Sequence, residues 1–223
     1  MHKAFILLKK LNGSANLQNL AHDEKISLIW RFLAAMENNR HDKAMKPFTW
    51  DMTVNAADAT VTISFSSIRE EFTDALLTEA KRLLDAGTAL QLGRGTMWTV
   101  TGVFPVEDLP YIGKSIRLET LTGMVCRGRG KFLVSKEPGW KEAVIDGLCR
   151  RAKAFLGADV AAEEVSIPFV EHKGYPKVTY KGCRMSLENV NLLLKGPRPI
   201  LEVAIYNGLG KHTGSGFGAV SYH

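Results

Sequence analysis

The chain has 223 residues, 45% of them hydrophobic and 23% charged, a composition that fits a globular protein and excludes a disordered or fibrous one. Its formal charge of +6 is unevenly placed: residues 1–112 carry 12 Lys and Arg against 13 Asp and Glu, a net of −1, and residues 113–223 carry 17 against 10, a net of +7. Such a basic half points to a polyanionic partner, nucleic acid before membrane.

The length accommodates one large domain or two of about 110 residues each. No signal-like or membrane-spanning run is expected, because Ala4–Leu8 is too short and lysines follow at once. Cys126, Cys149 and Cys183 lack metal-ligand spacing and leave an odd thiol, which predicts a reducing, cytoplasmic setting.

In chain order, Lys3–Leu11 reads as a strand broken by Asn12-Gly13. A helix is predicted from Asp23 as its N-cap, with Ile26, Ile29, Trp30, Leu33 and Ala34 at helical spacing. It ends near Asn38-Asn39. A polar segment, residues 39–46, leads into a strand from Pro47 to Val54, and Ala59–Phe65 alternates apolar and hydroxyl residues as a half-buried strand does. Ser67-Ile-Arg-Glu70 has the form of a capping box and opens a second helix through Phe72, Leu76, Ala80, Leu83 and Leu84, closed at Gly87. Thr96–Phe104 is the fourth strand. Strand, helix, strand, strand, helix, strand is the ferredoxin-like βαββαβ unit.

Asp108–Gly113, with Pro110, marks a junction. Beyond it come a strand around Ile116–Cys126, a glycine-arginine segment (Arg127-Gly-Arg-Gly-Lys131) and Phe132–Ser135. A helix after Pro138-Gly139 carries Trp140, Val144, Leu148 and Phe155 on one side, with Arg150, Arg151 and Lys153 expected on its outer face. Strand-like runs occupy Ser166–Val170, Lys177–Tyr180 and parts of Cys183–Leu194. Pro199 stands at the start of a short helix with Ile200, Val203 and Ala204, and Gly208 just past its end. The expected fold class is therefore α+β, two tandem ferredoxin-like (RRM-like) domains over residues 1–112 and 113–223. The second unit is inferred from element order alone.

Gly208-Leu-Gly-Lys-His-Thr-Gly-Ser-Gly-Phe-Gly218 carries the densest chemical signal. Glycines let a backbone approach a ligand closely, and successive N–H groups in such a loop can form an anion site. Lys211, His212, Thr213 and Ser215 lie among them. A Walker loop is excluded, because the residue five before Gly210 is Ile205 and His212 follows Lys211 where Ser or Thr is required. A dinucleotide fingerprint is excluded too: it must open a helix, and five residues follow Gly218 in this sequence. A flexible linker is the bland alternative, but Phe217 and Val220 do not suit one.

With its Gly-Leu-Gly, basic residue and Gly-Phe-Gly ending, this loop resembles the C-terminal glycine-rich loop of CRISPR-associated RAMP proteins. Among them it is most similar to the endoribonucleases that cut precursor CRISPR RNA. His212 within the loop is a departure. The resemblance implies tandem ferredoxin-like domains over nearly the whole chain. His41, followed by Lys43, Lys46 and Pro47-Phe48-Thr49, is similar to the nuclease segment in which a histidine follows the first helix. Many members pair that histidine with a tyrosine of the first helix, and this sequence has none before Tyr111.

The resemblance implies a metal-independent endoribonuclease that cleaves CRISPR repeat RNA. The 2′-hydroxyl would attack, leaving 2′,3′-cyclic phosphate and 5′-hydroxyl ends. His41 would move protons, with Lys46, or else Lys43, as the charged helper. No metal and no cofactor is expected. Arg127, Arg129 and Lys131, with Gly208, Gly210, Lys211, His212, Gly214, Ser215, Gly216 and Gly218, are the expected RNA-binding residues. The partners would be precursor and mature guide RNA, with other Cas proteins of an effector complex as further candidates and no membrane. An ordinary exposed loop histidine at His41, a solvated hairpin turn at Arg127–Lys131 and solvated charges at Lys43 and Lys46 are the bland alternatives. A RAMP subunit that holds guide RNA without cutting it is the competing function. A ferredoxin-like enzyme using the loop for a phosphorylated small molecule is the third.

Overall fold

A computed structural model of the chain describes residues 2–12, 21–39, 45–55, 57–91, 95–107, 113–128 and 130–222. The candidate residues His41, Lys43 and Arg129, and the expected junction around Pro110, lie outside the described residues.

The elements run β1 (Lys3–Asn12), α1 (His22–Phe32), β2 (Phe48–Asn55), β3 (Thr60–Ser67), α2 (Glu70–Asp85), β4 (Ala89–Gln91) and β5 (Met97–Val106). Beyond them come β6 (Ser115–Thr120), β7 (Cys126–Gly128), β8 (Lys131–Leu133), α3 (Trp140–Leu156) and β9 (Ser166–Gly174). The chain closes with β10 (Lys177–Tyr180), β11 (Cys183–Ser186), β12 (Asn189–Lys195), α4 (Arg198–Asn207) and β13 (Val220–Tyr222). One sheet has the order β2-β3-β1-β5-β4 and the other β13-β6-β12-β9. With β4 set aside as an added edge, each sheet places its first and third strands centrally and its second and fourth outside, the arrangement of a ferredoxin-like βαββαβ unit. Among the described residues, every strand pairing within both sheets is antiparallel.

Period-two patterning explains the strands. Ala4, Ile6 and Leu8 of β1 are buried while their neighbours are less so, and Leu118, Leu192 and Val190 do the same in the second sheet. In α2, Phe72, Leu76, Ala80 and Leu83 form one buried face, and in α3 Trp140, Val144 and Leu148 form another. Each face packs into the core of its own half, one cluster centred on β1, β2, β3 and α2, the other on β6, β12, α3 and α4.

Several local expectations differ. The first helix begins at His22 with Ala21 at its N-cap, and the Glu24 carboxylate accepts from the Ala21 N–H at 3.0 Å. Asp23 therefore lies in the first turn, where its charge still suits the helix dipole. Past Phe32 the chain tightens into a 3-10 stretch, Ala34–Asn39. Ser67 ends β3 and does not cap α2: its hydroxyl donates to the Pro47 carbonyl at 2.9 Å and accepts from the Arg69 N–H at 3.1 Å. The position before α2 is Arg69.

One helix is unlike the rest. In α4, Ile200, Leu201, Val203, Ala204, Ile205, Tyr206 and Asn207 are all buried. A ten-residue helix hidden on almost every side must be packed from two directions, and α4 touches α3, β6 and β13 of its own half together with β2 and β3 of the other. Its C-terminus delivers the chain to the glycine loop. Truncating Leu148, fully buried on the inner face of α3, to alanine is expected to lower unfolding free energy by about 2–5 kcal/mol, read as a shifted urea midpoint at constant slope.

Candidate nucleic-acid interface

The glycine loop is folded against the protein. Leu209 N–H donates to the Gly218 carbonyl at 2.8 Å, Lys211 N–H to Val125 O at 2.7 Å, and Gly218 N–H to Gly123 O at 3.2 Å. Thr213–Ser215 forms a 3-10 turn entered through His212, whose φ is +60°. Gly216, at φ +77°, lies flat against Trp50, where a methyl group would come within 2.6 Å of the indole. One at Gly214 would come within 2.5 Å of the Lys46 Cβ. Gly208, Gly216 and Gly218 thus face protein, and their lack of a side chain permits close packing.

Four side chains from other elements hold the loop. The His22 ring stacks on Phe217 (4.6 Å, 8°) and lies near-parallel to Trp50 (5.7 Å). Its Nε2–H donates to the Ser215 carbonyl at 2.6 Å, which fixes the proton on that nitrogen because a carbonyl only accepts. Trp50 Nε1–H donates to Gly214 O at 3.3 Å. The Tyr180 hydroxyl meets Ser215 Oγ at 3.1 Å. Asn207 Nδ2 lies 3.5 Å from Thr213 Oγ1.

Beside the loop opens a cleft of about 740 Å³ that joins the two halves. Lys46 enters from the N-terminal half, its ammonium 5.8 Å from the centre of the Trp30 ring. Gly210, Lys211, His212, Thr213, Gly214 and Ser215 form the facing wall, and Arg150 and Lys181 extend it. Asp23 is the sole carboxylate among these lining residues. Loss of solvent, followed by Lys181, Lys211 and Arg127, holds the His212 imidazole below its ordinary value. Strands β7 and β8 form a hairpin beside this wall, anchored through the Val125–Lys211 pairing. Arg127 is exposed there with its guanidinium 4.8 Å from the Phe132 ring centre, and Lys131 pairs with Glu137 at 3.7 Å.

Of the expected site residues, the structure brings Lys46, Gly210, Lys211, His212, Gly214 and Ser215 to one cleft. Arg127 and Lys131 sit on the hairpin beside it. Arg151 corrects an expectation: it is 4% exposed and lies on the buried side of α3. The helical spacing of Leu148, Arg151 and Phe155 carried that signal. Its Nε–H donates to Gly147 O, and Nη1 donates to both the carbonyl and Oδ1 of Asn207. His22, Trp50 and Tyr180 were not legible as loop anchors, since nothing local marks which residue will meet a segment more than thirty positions away. Among the described residues, no group of three His, Cys, Asp or Glu side chains converges to hold a metal, and no helix is long and apolar enough to cross a membrane.

The family model for the C-terminal part of CRISPR-associated protein Cas6 matches residues 107–222. No curated protein matches the sequence. Among solved structures, a RAMP protein binding different RNA substrates is similar with a TM-score of 0.79 at 15% identity, covering 100% of both chains. The product of a Cas6-related gene from Pyrococcus furiosus gives 0.79 at 14%, covering 100% of this chain and 98% of that one. A Cas6 product complex gives 0.71 at 14%, with the same coverage. At these identities the likeness is one of fold, the tandem ferredoxin-like pair.

Burial, the largest influence, holds the His22 imidazole below its ordinary value, against the Ser215 hydrogen bond. The unfolded chain takes up this proton near pH ~6.5, so the stability His22 contributes is full above that pH and lost as pH falls toward its depressed folded value. His212 acts in the same sense. The wild-type melting temperature is expected to fall between pH 7.5 and 5.5, and less steeply in His22→Gln. Parallel curves for the two proteins would remove His22 as a source.

Proposed function

The chain belongs to the Cas6 family by the match over its C-terminal half, and on that premise we propose that it binds and processes CRISPR RNA as a metal-independent endoribonuclease acting in the cytoplasm. The observation that supports this best is the cleft: Lys46 from one half faces Lys211, His212, Gly214 and Ser215 from the other, with four Lys or Arg side chains besides the buried Arg151 and one carboxylate in its lining. Such a lining suits a phosphodiester backbone. It suits a phosphorylated small molecule less, because the basic hairpin with Arg127 and Lys131 extends the positive surface beyond the cleft.

In this reading residues 1–112 form the domain that carries the acid–base group, and residues 113–223 form the domain that grips RNA. RNA supplies its own nucleophile. The 2′-oxygen loses its proton and bonds to phosphorus, and the bond to the 5′-oxygen breaks as that oxygen gains a proton. A 2′,3′-cyclic phosphate and a 5′-hydroxyl result. His41 moves the protons, since its ordinary pKa lies near neutrality. Lys46 places fixed positive charge at the phosphorane oxygens, and Lys43 is the second candidate for that task. Trp30 occupies the helix face beside Lys46 and offers a ring without an acidic hydroxyl. Backbone from Gly210 to Ser215, with the Lys211, His212 and Ser215 side chains, lies along the RNA; Gly208, Gly216 and Gly218 shape that wall. Arg127, Arg129 and Lys131 reach the strand further along. Other Cas proteins of an effector complex are further partners.

The test is a labelled repeat RNA incubated with the protein in EDTA. One cut is expected, blocked by a 2′-deoxy sugar at the cut site and lost in His41→Ala while binding persists. Lys46→Ala is expected to slow the cut about 10²–10³-fold, the scale of removing one charge-stabilising donor. Binding with no cut by wild type supports a guide-holding subunit instead. For affinity, the slope of log K against log salt should become shallower by roughly 0.7–0.9 in Lys181→Ala, one phosphate contact fewer.

A further inference from the structure

Asn207, the last residue of α4, is fully buried and uses its side-chain amide in both directions. Nδ2 donates to the Lys46 carbonyl at 2.8 Å and to the Phe48 carbonyl at 3.3 Å. Oδ1 accepts from Arg151 Nη1 at 3.1 Å, and the same nitrogen donates to the Asn207 main-chain carbonyl at 3.3 Å. The amide can be placed only one way round: carbonyls accept and a guanidinium donates. Three segments therefore meet at one side chain, α3 through Arg151, the glycine loop beginning at Gly208, and the backbone on both sides of Pro47.

This arrangement is costly. Arg151 is a buried cation with no carboxylate at ion-pair distance among the described residues, and its Nη2 lacks a hydrogen-bond partner there. Apolar residues of similar volume would close the α3–α4–β2 junction without that desolvation penalty. What they cannot do is set the direction of two particular carbonyls. Hydrophobic contact is non-directional, whereas the two Asn207 donors fix where the main chain of Lys46 lies relative to the loop wall that faces its side chain.

We infer that Asn207 is a positioning residue for Lys46, held in place by the buried Arg151, so that cleavage in the cleft depends on a latch that no RNA touches. This inference rests on the cleavage proposed above. Displacing a group by about 1 Å can slow a reaction on the order of 10²-fold even when binding is kept. The latch therefore acts on the rate of the cut and not on RNA affinity.

Asn207→Asp tests it. The aspartate keeps the volume and gives Arg151 a carboxylate acceptor, but it cannot donate to Lys46 or Phe48 and sets a negative oxygen against their carbonyls. The expected result is a single-turnover cleavage rate about tenfold or more lower, with RNA affinity within about twofold of wild type. In a Lys46→Ala background the same change should add less than about twofold, because residues acting as one unit are non-additive. Arg151→Lys, which keeps the charge but not the planar fork, is the second variant should Asn207→Asp not fold. It is expected to give a smaller fall in rate at unchanged affinity, again absent without Lys46. Equal losses in both backgrounds, joint loss of affinity and rate, or wild-type rates in both variants would overturn the inference. If wild type binds the RNA and never cuts it, the cleavage reading fails and takes this inference with it; if wild type cuts and the variants cut equally well, the inference fails alone.

Discussion

A single buried amide joins the parts of this molecule that matter most. The Asn207 side chain receives one hydrogen bond from α3 and gives two to the chain entering β2, and the glycine loop starts at the next residue. In a low-dielectric interior such bonds are strong when made and expensive when left open, so the position of one segment constrains the others. Helix α4 joins the halves through apolar packing against β2 and β3. That packing tolerates small slips, whereas the amide does not. The register of the loop against Lys46 follows from the polar contacts.

The loop illustrates a second constraint. A stretch rich in glycine invites the view of a mobile clamp, yet here the glycines allow close contact with Trp50, Lys46 and the backbone of Val125. His22 stacks face to face on the loop's own Phe217, and Tyr180 and Trp50 hold its outer turn. The result is a firm wall bearing Lys211 and His212. Burial first, and then the positive charge of Lys181, Lys211 and Arg127, keeps His212 neutral to lower pH than a free imidazole. A bound polyanion would act in the opposite direction.

Much of the fold was legible. Alternation in β1, β3 and β6 and helical spacing in α2 and α3 are local signals, because a strand or helix must present one apolar face to a core. The element order then led to a ferredoxin-like pair, and both sheets have that strand order. What failed was local chemistry with two readings. Ser67 followed three places later by Glu70 has the form of a cap, but the Pro47 carbonyl competes for the hydroxyl. Arg151 looked like an outer charge beside Arg150 and Lys153, although it falls on the same helix face as Leu148.

By itself, the sequence determined the class of element at most positions, the basic character of the second half, and the loop whose glycines and Gly-Phe-Gly ending pointed to a family. These follow from periodicity, composition and short-range spacing. Only the tertiary structure decided which residues share a cleft. Lys46 and Lys211 are far apart along the chain and face each other because α4 wedges between two sheets. His22 and Asn207 carry no local mark of their roles, since a hydrogen bond across more than 150 residues depends on where folding brings its acceptor. The glycine loop was readable as a motif; that it is a packed wall, latched to Lys46 through Asn207, is a property of the assembled fold.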